Sequence, residues 1–87
     1  MHSIDKVFDR ILKHQGEVFT QVRGGKFSYV VKGDTVILDR TNQRLSKTVF
    51  ARALERCPLT GPGELQDLRG PSYLYAILSD PRVDACA

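Results

Sequence analysis

At Gly16 the apolar rhythm of this chain changes, and that change restricts it to the α+β class. Before Gly16, the residues Ile4, Val7, Phe8, Ile11 and Leu12 recur at i, i+3, i+4, i+7 and i+8. This is the stripe of an amphipathic helix, with a period of about 3.6. Ser3 supplies the N-cap hydroxyl, Asp5 and Asp9 suit the positive end of the helix dipole, and Lys13 suits the other end. Gly16 is placed to close the helix in a left-handed conformation.

From Glu17 the period is two, as in strands with two unlike faces. Val18, Thr20 and Val22 share one face, with Phe19 and Gln21 on the other. Gly24-Gly25 predicts a tight hairpin turn with both glycines at positive φ. Lys26 to Lys32 alternates again, with Phe27, Tyr29 and Val31 together, and Gly33-Asp34 turns the chain into Thr35–Leu38. Two short turns between three alternating segments predict a three-stranded antiparallel meander.

Asp39 to Arg44 is polar and reads as a loop. Ser46 then caps a second helix running to about Arg56, with Leu45 and Phe50 spaced as a hydrophobic staple and Pro58 as the stop. A Gly/Pro-rich segment, Pro58 to Pro71, allows one short turn at Glu64–Leu68. Pro71 opens a third helix, which Asp80-Pro81 ends. The expected architecture is an N-terminal helix, the meander, then two helices joined by the Gly/Pro-rich segment. One domain spans residues 1–87, with 83–87 as a loose tail.

Eighty-seven residues support one modest core, and the apolar fraction of 41% argues against disorder. No apolar run approaches the roughly 20 residues that span a bilayer. The charged N-terminal stretch is not a signal-peptide core, so no membrane partner and a cytoplasmic location are expected. In that compartment Cys57 and Cys86 would stay reduced.

Catalytic constellations are sparse. His2, His14, Cys57 and Cys86 lack the close spacing of a zinc site, and no cofactor fingerprint is present. Asp34 and Asp39 loosely suggest a metal-dependent nuclease, but the converging carboxylates and the spaced lysine are missing. A non-enzymatic binding module is expected.

Charge is distributed unevenly. Residues 20–56 carry eight Lys and Arg against three Asp and Glu, a net of +5, while residues 57–87 carry two against four. Arg23 and Lys26 flank the hairpin tip, and Arg40, Asn42 and Arg44 belong to a donor-rich loop. That loop leads to Lys47 in the first turn of the second helix, where free amides also favour anions. Lys and Arg neutralise phosphates, and Asn can bond phosphates or base edges. Nucleic acid is the partner this pattern suggests. The same charges equally suit a solvated surface or bonds within their own loop. The alternative is a protein-protein interaction module, as inhibitor, adaptor or homodimer, using a patch around Leu59, Tyr73 and Tyr75.

The run GKFSYVVKGDTVILDRTNQRLSKTVFARALERCPLTGPGEL, followed by GPSYLYAILSD, resembles small uncharacterised bacterial proteins that occur as single domains. The resemblance covers roughly Phe19 to Val83. It implies a bacterial, cytosolic, single-domain protein, says nothing about catalysis, and transfers no site residue.

Overall fold

The computed structural model describes residues 3–41 and 43–85. Helix α1 spans Ile4–Lys13, and the Ser3 hydroxyl accepts from the Lys6 amide at 3.2 Å. Val7, Phe8 and Ile11 turn inward, whereas Leu12 at the edge of the stripe is exposed. Gly16 adopts φ +85°, and its amide donates to the Tyr29 carbonyl at 2.8 Å. The Gln15 side chain accepts from the Val31 amide at 2.9 Å. The helix exit therefore covers a sheet edge that would otherwise present unpaired backbone groups.

The chain folds as mixed α+β with antiparallel sheets, but the expected meander is divided in two. Strands β1 (Phe19–Thr20) and β2 (Lys26–Phe27) form a two-stranded ribbon. Strands β3 (Tyr29–Lys32), β4 (Thr35–Leu38) and β5 (Arg44–Ser46) form a second, three-stranded sheet in that order. The segment from Lys26 to Lys32 changes partner at Ser28. It pairs with β1 first and with β4 afterwards, beginning where the Asp39 amide donates to the Ser28 carbonyl at 3.0 Å. β1 cannot extend along β3 because Gln15 and Glu17 still belong to the closing turn of α1, donating to Leu12 and His14 carbonyls.

The ribbon's turn also differs from expectation. Gln21 and Gly25 are joined by the Gln21 amide donating to the Gly25 carbonyl at 2.7 Å, so the loop is Val22-Arg23-Gly24. Gly24 lies at φ +91°, while Gly25 is not in the positive-φ region. A three-residue loop closed by a left-handed glycine is a common hairpin connection. The Gly33-Asp34 turn conforms to its sequence, with Lys32 opposite Thr35 and Gly33 at φ +61°.

β5 arises from residues that look like loop and cap. Arg44, Leu45 and Ser46 stand opposite Ile37, Val36 and Thr35. Ser46 ends the strand and also caps helix α2 (Lys47–Leu54), accepting from the Val49 amide at 3.3 Å. The inner face carries Tyr29, Val36, Leu38 and Leu45, all buried, against Val7, Ile11, Phe50 and Ala53 of the helices. The outer face carries Val30, Lys32, Ile37 and Arg44. Tyr29 buries its hydroxyl by donating to the Ile11 carbonyl at 2.5 Å, and burial raises this phenol well above its usual range.

The Gly/Pro-rich segment is held from both sides. A 3-10 turn at Pro62–Leu65 replaces the expected turn at Glu64–Leu68. The Glu64 carboxylate accepts from the Thr60 amide at 2.6 Å and hydroxyl at 2.8 Å, which lowers its pKa. The Arg56 guanidinium forks onto the Asp67 carboxylate, with Nη2 to Oδ2 at 2.6 Å. Helix α3 (Pro71–Ser79) follows Gly70, with Leu74, Ala76, Ile77 and Leu78 buried.

The expected loose tail is packed as far as it is described. Val83 and Ala85 are buried, and the Ala85 amide donates to the Leu78 carbonyl at 3.0 Å. Residues 86–87 lie outside the described residues. Arg82 anchors this end, donating to both Asp80 carboxylate oxygens, to Glu17 Oε1 at 3.0 Å and to the Val18 carbonyl at 2.7 Å. Its guanidinium also lies 3.9 Å from the centre of the Phe19 ring. Cys57 is disulfide-bonded, which corrects the expectation of a reduced thiol.

Candidate functional site

Three of the cations singled out by sequence belong to one end of the molecule. Arg23 sits in the β1–β2 loop and Lys26 begins β2. Arg40 reaches back from the loop after β4, and its Nη1 donates to the Lys26 carbonyl at 3.1 Å. That bond ties the ribbon to the β4–β5 loop, although the two are separate sheets. Gly25 leaves the space for it. A Cβ there would stand 2.9 Å from Arg40 Nη1 and 2.5 Å from Gln21 Oε1.

Arg44 stands at the other end of the same loop, exposed on the outer face of β5 and opposite Ile37. Asn42 lies outside the described residues. The Thr41 hydroxyl accepts from the Gln43 amide at 2.8 Å, just before β5 begins.

Lys47 does not join this group. Its ammonium lies 2.7 Å from Asp5 Oδ1, and its amide donates to the Asp34 carbonyl at 2.7 Å. Its pKa is raised by the bond to Asp5, with further contributions from Asp34 and Asp9. The Lys47 charge is thus offset by a carboxylate of α1.

Of the eight cations in residues 20–56, Lys47 and Arg56 are taken up by Asp5 and Asp67. The other six, Arg23, Lys26, Lys32, Arg40, Arg44 and Arg52, are all exposed, and none makes an ion pair among the described residues. Four of them, Arg23, Lys26, Arg40 and Arg44, belong to the site expected from sequence. Three of the four acidic side chains of residues 57–85 are engaged elsewhere: Asp67 with Arg56, Glu64 with Thr60 and Asp80 with Arg82.

Next to Arg23 lies a cleft of about 330 Å³ that the sequence did not reveal. Val22, Pro62 and Pro71 give it apolar walls, and Gln21, Arg23, Gln66 and Ser72 give it polar ones. Gln21 Nε2 donates to Ser72 Oγ at 2.9 Å, joining the ribbon to the start of α3. The residues come from three segments up to about 50 positions apart, so only the Gly/Pro punctuation around Pro62 and Pro71 hinted at them. A second cleft of about 330 Å³ lies beside α2 and includes Asp34 and the Asp5-paired Lys47.

Among the described residues no group of three or more His, Cys, Asp or Glu could hold a metal ion, and no helix is long and apolar enough to cross a membrane. No family model, no curated protein and no solved structure matches the chain.

The interaction patch expected around Leu59, Tyr73 and Tyr75 does not form. Leu59 is buried, Tyr73 packs edge-on against Phe27 with ring centres 4.9 Å apart, and both tyrosines are half-buried. Val18, Val22 and Val30 are the valines left exposed.

Proposed function

We propose that this domain is a non-enzymatic module that binds nucleic acid through the β1–β2 loop and the β4–β5 loop beside it. One observation carries the reading: four exposed cations, Arg23, Lys26, Arg40 and Arg44, have no carboxylate partner among the described residues. Cations without carboxylate partners remain available to neutralise phosphates, and each neutralised phosphate releases counter-ions. The Arg40 bond to the Lys26 carbonyl holds one of them in position before binding, reducing the ordering cost of contact.

Anisotropy titrations against labelled duplex DNA, single-stranded DNA and RNA at low salt test this. Dissociation constants below about 100 μM are expected, since non-specific binding falls in roughly the 10⁻⁴–10⁻⁶ M range. With four phosphate contacts, log K should fall with log salt at a slope of about 3–4. Changing Arg40 and Arg44 together to alanine should lower that slope by nearly two. Failure of all three nucleic acids to bind would sink the proposal.

A protein-interaction module is the second reading, favoured by the outer face of the three-stranded sheet. There Val30 is 47% exposed and stands opposite half-buried Ile37. A dimer mass in native mass spectrometry, lost on Val30→Asp, would support it.

A further inference from the structure

We infer that the cleft between the β1–β2 loop and the start of α3 receives one unstacked base, so that the preferred nucleic acid is single-stranded, an inference that rests on the nucleic-acid reading above. The cleft adjoins the free cations because Arg23 belongs to both. Its volume of about 330 Å³ is at the small end of the roughly 300–1,000 Å³ usual for ligand sites. That leaves room for a flat heterocycle and little more. A base inside a duplex is stacked on both faces and paired along its edge, so it cannot enter a concavity. A single strand can turn a base out while its phosphates stay on the cations.

The lining suits a base chemically. Val22 is 64% exposed and, with Pro62 and Pro71, offers apolar surface for a ring face. Arg23 supplies a planar, always-charged guanidinium, which stacks on bases as readily as it pairs with phosphates. Gln66 is exposed and makes no side-chain hydrogen bond among the described residues. Its amide carries two donor hydrogens and an acceptor, matching the mixed donors and acceptors of a Watson–Crick edge. Gln21 and Ser72 are fixed to each other and form a rigid back wall. The cleft of similar size beside α2 lacks this combination, because its cation is paired with Asp5 and Asp34 lines it.

The test compares labelled oligonucleotides of about 12 nucleotides, within the span of known single-strand sites, as DNA single strand, RNA single strand and DNA duplex. At equal low salt the single strands should bind at least about fivefold tighter, since a stacked base is worth roughly 5- to 150-fold. Gln66→Ala exchanges one exposed neutral side chain for another. It should weaken single-strand binding about five- to tenfold, leaving the melting temperature, duplex affinity and salt slope unchanged. A cleft that holds no base would give equal single-strand and duplex affinities, or an unaltered single-strand affinity in Gln66→Ala. Either result overturns this inference yet leaves the cationic surface standing. No binding by any of the three overturns both.

Discussion

Lys47 Nζ lies 2.7 Å from Asp5 Oδ1, joining the first turn of α2 to the first turn of α1 across more than 40 residues of chain. A lysine beside a cluster of donors looks like a phosphate contact until its partner is known. With Asp5 paired and Asp9 and Asp34 nearby, Lys47 belongs to the helix-helix contact. Lys47→Ala should therefore leave nucleic-acid affinity and its salt slope unchanged, whereas Arg40→Ala should lower the slope by about 0.7–0.9. Salt-series titrations of both variants check this. A fall in slope for Lys47→Ala would return Lys47 to the interface.

The two adjacent glycines should respond differently. Gly24 lies at φ +91° with open space around it, so Gly24→Ala should cost about 1 kcal/mol through backbone strain alone. Gly25→Ala meets the ends of two flexible side chains, Gln21 and Arg40, which can move aside. Its stability cost should be smaller, but displacing Arg40 from the Lys26 carbonyl should weaken nucleic-acid binding. Denaturant melts and titrations on the same two proteins separate strain from displacement.

Arg82 draws the last described segment, Glu17 and the Phe19 ring together, and its bonds use every nitrogen of the guanidinium. Arg82→Ala should lower unfolding free energy by about 1.5–3 kcal/mol, the range for hydrogen bonds to charged groups. Arg82→Lys should recover little of it, because an ammonium cannot reproduce the planar fork. Full recovery by lysine in urea denaturation would show that charge alone matters there.

Phe50 is fully buried at the centre of α2, with its ring 6.3 Å from that of Phe8 in an edge-on arrangement. Phe50→Ala should cost roughly 3–5 kcal/mol, a large share of the total for a small domain. A loss below about 1 kcal/mol by chemical denaturation would contradict this packing.

Acid should loosen the Gly/Pro-rich segment. The Arg56 guanidinium holds the Asp67 carboxyl down at about 2, against an ordinary value of 3.8. A carboxyl whose pKa is depressed on folding contributes stability above its unfolded value, and that stability is lost as pH falls through the folded value. Asp67 therefore contributes fully above about pH 4 and ceases to contribute near pH 2. Glu64, lowered by the Thr60 amide, and Asp80, lowered by Arg82, act in the same direction. Melting temperature should decline across this window, and Asp67→Asn should flatten part of the decline. An unchanged acid limb in Asp67→Asn would show that this exposed pair is screened out by solvent.

Features whose causes lie within a few residues were legible in the chain. Ser3 and Ser46 cap helices because a hydroxyl reaches an amide three positions on, and the stripe of Val7, Phe8 and Ile11 follows from helical spacing. Gly33 and Pro71 act through their own backbone freedom or lack of an amide hydrogen. The alternation of Phe27 and Tyr29 survives although the strand changes partner between them, because side-chain direction depends only on the local pleat.

What tertiary structure decided was partnership. Arg44–Ser46 becomes a strand because β4 offers it open backbone groups, and backbone pairing is blind to the polar side chains that made the segment look like a loop. The meander divides at Ser28 because α1 ends too close to β1 for that strand to follow β3. Lys47 and Arg82 left the pool of free charge because carboxylates distant in sequence or in separate elements came within bonding distance. The Arg23 cleft exists only where three distant segments meet. Local signals fix a residue's own conformation, whereas a charge or an edge strand acquires its role from whatever the fold brings beside it.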